Sequence, residues 1–158
     1  MSEKIYVGES KHGKGIFAKR DIKKLEHILT FSGKIISFQE ARNPSIERYV
    51  IQIGKDKYLA FHGEADDFIN HSCDPNAGLK DNVNLIAIKN IGVNEEIVFD
   101  YSTCMDEDCS TMKFNCGSKN CRGIIKDFKY LPFEVRGKYV ELGIVPEWII
   151  EGLRSYSR

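Results

Sequence analysis

Three short stretches of this sequence hold the residue types that chemistry needs. Gly13-Lys14-Gly15 sets two glycines around one residue just ahead of a strand-like run, so the backbone there can approach a ligand closely. It is not the dinucleotide fingerprint, which requires a third glycine and a following helix, and taken alone it reads better as a simple turn. The second stretch, 70–76, is Asn-His-Ser-Cys-Asp-Pro-Asn. No helix with an apolar face can be made from it, and Pro75 cannot occupy a central strand. Asp-Pro and Asn favour turns, yet this polar, thiol-bearing turn comes directly after the apolar pair Phe68-Ile69. The third stretch, Asn-Glu-Glu-Ile-Val-Phe-Asp-Tyr-Ser at 94–102, is a strand running into Asp100-Tyr101. A strand-end tyrosine is a core residue whose hydroxyl finds a partner or a reacting group, and the stretch alone does not decide.

Cysteine usage adds a fourth signal. Cys73, Cys104, Cys109, Cys116 and Cys121 are an odd number, and without a secretory signal they predict metal binding or inert thiols rather than disulfides. Cys116 and Cys121 are spaced C-x4-C within Phe-Asn-Cys-Gly-Ser-Lys-Asn-Cys-Arg-Gly (114–123). A structural zinc site wants four ligands, and Cys73 could join them if the fold brought the loops together.

The elements that must position these groups are mostly short strands. The runs 15–19, 27–33, 48–54, 57–61, 84–90 and 95–101 are rich in β-branched and aromatic residues. Gly54-Lys55-Asp56 and Lys80-Asp81-Asn82 read as hairpin loops. A short helix is expected at 37–42, capped by Ser37 with Glu40 three residues on. The tail changes character: 132–142 and 146–154 are amphipathic, each opening at a proline (Pro132, Pro146), with Gly143 ending the first. They are expected to cover an edge of the β-body.

Composition bounds the remaining choices. The chain's 158 residues, 42% hydrophobic and 29% charged, suit one globular domain with a single substantial core. No apolar run approaches a membrane span and the start carries no signal-peptide core, so a reducing cytosol is the expected location, with export into a host cell left open. The net charge of zero hides an asymmetry: from His62 to Asp108 there are 11 acidic residues against two basic. That argues against direct nucleic-acid contact there and favours a basic partner.

The order of the blocks is more specific than any one of them. GxG, then Asn-His-Ser-Cys-x-Pro-Asn, then Phe-Asp-Tyr, then Cys-Gly-Ser-x-Asn-Cys-Arg-Gly resembles the SET-domain protein lysine methyltransferases with a post-SET segment. The resemblance covers roughly residues 4–124, and the layout is similar to the small, single-domain bacterial members. It implies a mainly β fold of several small curved sheets, a pseudoknot-like C-terminal threading that brings 70–76 beside 99–101, and short C-terminal helices. Residues 1–123 would form the SET domain with its post-SET segment, and 124–158 a helical extension packed on the same domain. The implied cofactor is S-adenosyl-L-methionine, held by the backbone of Gly13, Lys14 and Gly15, by Asn70 and by the main chain of His71. Tyr101 would be the catalytic tyrosine, with Tyr49 and Phe99 lining the lysine channel. The implied partner is a basic protein or peptide, taken by a monomer that does not contact membranes.

Two departures from the family pattern carry expectations of their own. Phe114 stands where the first post-SET cysteine is usual, leaving Cys73, Cys116 and Cys121 as candidate metal ligands, with Cys109 or Cys104 as a fourth. An incomplete zinc set is therefore expected, with Phe114 packing in its place. Asp67 stands where many eukaryotic members carry arginine, and Asn94 replaces the usual turn glycine.

Overall fold

The computed structural model describes residues 2–47, 50–108 and 111–156. Among these residues twelve short strands form four small sheets, with few helices. β1 (Ile5–Ser10) and β2 (Gly13–Ala18) make a hairpin, so the glycine pair lies inside a strand rather than ahead of one. β2 pairs antiparallel with β10 (Glu96–Phe99), and β10 pairs parallel with β7 (Asn70–His71), giving the order β1-β2-β10-β7. The first two residues of the polar stretch are thus a strand, and the turn begins only after His71.

The second sheet holds β3 (His27–Thr30), β9 (Asn84–Ala87) and β8 (Ala77–Lys80), with β9 central. The third holds β4 (Ile35–Ile36), β6 (Lys57–Leu59) and β5 (Ile51–Gly54). Both expected hairpin loops are present, and both use the left-handed backbone that tight turns need: Asp56 has φ +53°, Asp81 +51° and Asn82 +69°. Asn94, at φ +63°, accepts the conformation of the glycine it replaces. Helix α1 (Phe38–Ala41) carries the expected capping box between Ser37 and Glu40.

Alternation along β9 builds two cores at once. Leu85 and Ala87 face one cluster with Ile16, Ile97 and Leu79, all fully buried. Ile86, on the opposite face, joins Phe128, Tyr139, Ile144 and Ile149. The second cluster comes largely from α2 (Phe133–Glu141) and α3 (Glu147–Tyr156) and the segments leading into them. These helices cover a sheet face, not the edge that the sequence suggested. The contact is close: a Cβ on Gly78 of β8 would stand 2.6 Å from an Ile144 methyl. A two-stranded ribbon of β11 (Met112–Lys113) and β12 (Ile124–Ile125) precedes the helices and, among the described residues, joins no other sheet. Among the described residues no helix is long and apolar enough to cross a membrane.

Candidate functional site

The parallel pairing of β7 with β10 assembles the site, setting Asn70 beside Val98 and His71 beside Phe99. The far end of the same polar stretch keeps this pairing in register. Asn76 is buried, donates to Glu95 Oε1 and the Glu96 carbonyl at 3.1 and 2.8 Å, and accepts from the Val98 amide at 2.9 Å. A side-chain amide here does the work of a backbone rung. The Ser72 amide adds a bond to the Phe99 carbonyl at 3.0 Å.

On one flank of this pair lies a polar cradle. Asn70 Nδ2 is 3.0 Å from the Lys14 carbonyl, 3.3 Å from the Ser10 hydroxyl and 2.8 Å from Glu96 Oε1. Gly15 sits in the same cluster, and a Cβ there would meet Glu96 Oε1 at 2.5 Å and Ser10 Cβ at 2.9 Å. Gly13 holds φ at +98°, a conformation that favours glycine. The Lys14 ammonium lies 4.9 Å from the centre of the Phe68 ring. Lys14, Gly15 and Asn70, which the sequence singled out separately, therefore meet, with Gly13 and His71 as their chain neighbours.

Tyr101 opens a 3₁₀ turn (Tyr101–Cys104) directly after β10. Its hydroxyl donates to the Ile69 carbonyl at 2.6 Å, and its ring packs against Phe99 and His71 at 5.0 and 5.3 Å. Burial pushes its phenol well above the usual range, so it stays a neutral hydroxyl. The Tyr101 amide donates to His71 Nδ1 at 3.2 Å. That bond fixes the His71 tautomer: Nε2 carries the proton and directs it at Cys73 Sγ, 3.3 Å away. Burial holds the imidazole down to about 4, hence neutral at physiological pH.

Phe99 and Tyr101, with Phe31, Ile51, Leu59 and Ile69, wall a cavity of about 180 Å³. Carboxylates share the rest of the lining, Asp66, Asp106, Glu107 and Asp127 among them, with neutral side chains such as Val50, Gln52, Tyr58 and Met105. Burial and the neighbouring carboxylates Asp127, Glu107 and Asp108 hold Asp106 above the ordinary carboxylate range, with Lys129 acting in the opposite sense. Tyr49, the other expected channel residue, lies outside the described residues.

The candidate metal ligands come only partly together. Ligand atoms of His71, Cys73 and Cys116 lie within 4.8 Å of one another, and Cys121 is not among them. The Cys121 thiol is 3.6 Å from the Phe114 carbonyl and also hydrogen-bonds with the Cys116 thiol. His71 is a poor fourth ligand, because the nitrogen facing the sulfurs keeps its proton. Burial raises the Cys116 thiol, but hydrogen bonds from the Cys73 amide, from Ser118 and with the Cys121 thiol outweigh it and draw the thiol to about 6. Burial pushes Cys73 up to about 11. The Phe114 ring packs on His12 at 4.3 Å and edge-on to His71 at 5.5 Å. Cys104 is buried elsewhere, its thiol donating to the Tyr101 carbonyl at 3.2 Å, and Cys109 lies outside the described residues. Among the described residues, four zinc donors do not converge.

Three polar residues of the site had no role assigned from the sequence. Asp100, 1% exposed, accepts from Arg122 Nη2 at 2.8 Å, from the Ser102 amide at 3.1 Å and from the Tyr139 hydroxyl at 3.0 Å. Asp100 and Arg122 stand inside recognised motifs, where each read as an ordinary charge. Nothing in the sequence separates Tyr139 from a core tyrosine of an amphipathic helix. Asp67, at the position of the missing arginine, accepts the amides of His62, Gly63 and Glu64 at 2.6 to 3.1 Å and so fixes the preceding turn.

Residues 13–102 match the SET domain family. The chain is 30% identical over 130 residues to Histone-lysine N-methyltransferase 2B of Homo sapiens, an alignment covering 70% of this chain and 5% of that protein. It is 32% identical over 152 residues to Histone-lysine N-methyltransferase mes-4 of Caenorhabditis elegans, covering 78% of this chain and 17% of the relative. The chain thus spans only a small part of the length of these curated relatives. Among solved structures, a humanized mutant of the Chaetomium thermophilum Polycomb Repressive Complex 2, bound to the inhibitor GSK126, superposes with a TM-score of 0.58 at 24% identity, covering 68% of this chain and 16% of that one. That likeness concerns the fold, and it agrees with the several small sheets described above. With more than half of its length matched, and with the glycine cradle, the Asn70-His71 strand and Tyr101 gathered around one strand pair, the chain belongs to the SET-domain family.

Proposed function

We propose that this chain is an S-adenosylmethionine-dependent protein-lysine N-methyltransferase that acts on a basic protein or peptide tail and carries its product beyond the first methyl. The observation behind this reading is the junction of two unlike sites on the β7–β10 pair: a polar cradle around Asn70 and an aromatic cavity beside Tyr101. The cradle suits the cofactor, since a strand without side chains at 13 and 15 leaves backbone accessible and Gly15 has no room for a Cβ. Gly13, Lys14 and Gly15 would hold the methionine end through their main chain. Asn70 would hold the amino group, and the His71 main chain the adenine edge. When bound, S-adenosylmethionine supplies a methyl group on a positively charged sulfur, open to attack by a neutral amine.

The chain's own residues must then produce a neutral, aligned amine. Lysine has an unperturbed pKa of about 10.4, and walls such as Phe31, Phe99 and Tyr101 disfavour its ammonium form by withdrawing water. The Tyr101 hydroxyl, oriented by the Ile69 carbonyl, is placed to hold the amine rather than to deprotonate it. Orientation of this kind contributes about 7–11 kcal/mol to a barrier. Tyr49 is assigned to the same channel by family resemblance. The carboxylates in the lining support a basic substrate by charge complementarity.

A labelled-methyl transfer assay against histones and a mixed protein lysate, read by mass spectrometry, tests this reading. Transfer to lysine that disappears in Tyr101→Phe supports it. Cofactor binding with no transfer to any protein would favour instead a SET-fold module that binds a basic partner without turnover.

A further inference from the structure

The ribbon 112–125 poses a problem of attachment. Among the described residues its two strands pair only with each other, and an isolated two-stranded ribbon is marginal in water. The thiol set that could fasten it through a metal is incomplete among the described residues. Yet Phe114, Cys116 and Arg122 of this segment all touch the strand that carries His71 or its neighbours. Something else closes it.

The strongest fastening is ionic and buried. Arg122 extends from the ribbon to Asp100 Oδ1 at 2.8 Å, with side-chain exposures of 17% and 0% for the two partners. Arg122 Nη2 also lies 3.4 Å from the Ser102 hydroxyl, while the Arg122 amide faces Cys73 Sγ at 3.4 Å. The other Asp100 oxygen receives the Tyr139 hydroxyl from α2. One carboxylate therefore joins the strand that delivers Tyr101, the ribbon and the C-terminal helices, and His71 Nδ1 stands 3.6 Å from it. Phe114, opposite Gly123 at the same end of the ribbon as Arg122, adds apolar packing on His12 and His71.

We infer that Asp100, Arg122 and Tyr139 are positioning residues: with the Phe114 stack beside them, they latch the 112–123 ribbon onto the Asn70-His71 side of the site through a buried ion pair. None of the three touches the reacting atoms; each acts by keeping the ribbon against the cofactor face. This rests on the proposed cofactor cradle for its functional consequence, though not for its structural one.

The test separates the two. In Arg122→Ala, hydrogen exchange of the 112–123 amides should accelerate at least about tenfold without any cofactor present. Calorimetric affinity for S-adenosylhomocysteine should weaken by about tenfold or more, while turnover at saturating cofactor stays within about threefold. Arg122→Lys should recover part of both losses, and Tyr139→Phe should show a smaller version of each. The surface substitution Arg20→Ala serves as control, since Arg20 pairs only locally with Glu26. Unchanged exchange in Arg122→Ala overturns the latch. So does one equivalent of zinc in the wild type whose removal loosens the ribbon as much as the substitution does. Faster exchange in a wild-type background that never binds S-adenosylhomocysteine would keep the latch and sink the cofactor reading instead.

Discussion

Tyr101 makes its hydrogen bond to Ile69 with no substrate present, so its hydroxyl is already oriented when a lysine arrives. Replacing Tyr101 with Phe should lower kcat by about a hundredfold or more while cofactor affinity stays within a few-fold, because the lost contact matters mainly in the transition state. Steady-state kinetics paired with calorimetry would show the split. Phe99, 3% exposed and in contact with Phe31 and Tyr101, offers a ring without a hydroxyl at the cavity wall. It cannot hold a water where a methylated amine must sit. Intact-mass analysis of a peptide driven to completion should therefore show products beyond the single methyl, and Phe99→Tyr should move them toward it. Cys104 makes a contrasting case: burial pushes its thiol up to about 12, so at pH 8 only about one molecule in ten thousand is thiolate. Peptide mapping after iodoacetamide treatment should find Cys104 unmodified in the folded protein and fully modified after denaturation.

At the scale of elements, the β7–β10 pair depends on a side chain as much as on backbone. Asn76→Ala leaves the Val98 amide and the Glu96 carbonyl without their partner in a buried place. It should cost about 3 kcal/mol in urea unfolding, with cofactor binding weakened in whatever folded protein remains. This also marks where the sequence was readable. The strands with β-branched and aromatic runs, the α1 capping box and the two hairpin loops were legible, since local propensity and turn chemistry decide them. β1 went unseen because Val7, Gly8 and Glu9 give no clean alternation, and β4, β7, β11 and β12 span two residues each, too short for any period. The cradle was legible only by resemblance: no local rule says that the Asn70 amide will meet the Lys14 carbonyl 56 positions away. Asp100, Arg122 and Tyr139 stayed hidden for the same reason, as a buried ion pair looks in sequence like two surface charges.

For the molecule as a whole, part of the acidic middle of the chain gathers at the cavity, while Glu64, Asp74, Asp81 and Glu95 stay exposed to solvent. Asp66, Asp106, Glu107 and Asp127 line the cavity, while Lys129 and Tyr130 turn aside to hold Asp108. A basic peptide should therefore lose affinity as salt rises. Raising NaCl from about 0.05 to about 0.5 M should increase its KM several-fold, with cofactor KM little changed. Initial rates at both salt levels give the answer, and a salt-independent peptide KM would argue for recognition by shape alone.

The carboxylate of Asp100 also sets a schedule for synthesis. Its two side-chain partners from other elements are made 22 and 39 positions later, so a nascent chain that has just finished the family-matched region carries a core charge with nothing to neutralise it. A polypeptide cut after Ser102 should therefore aggregate, and one cut after Ile125 should remain dependent on chaperones. Solubility should arrive only once the chain includes α2 and Tyr139 reaches the carboxylate. Pelleting of released, truncated chains of increasing length would place that step between residues 125 and 156.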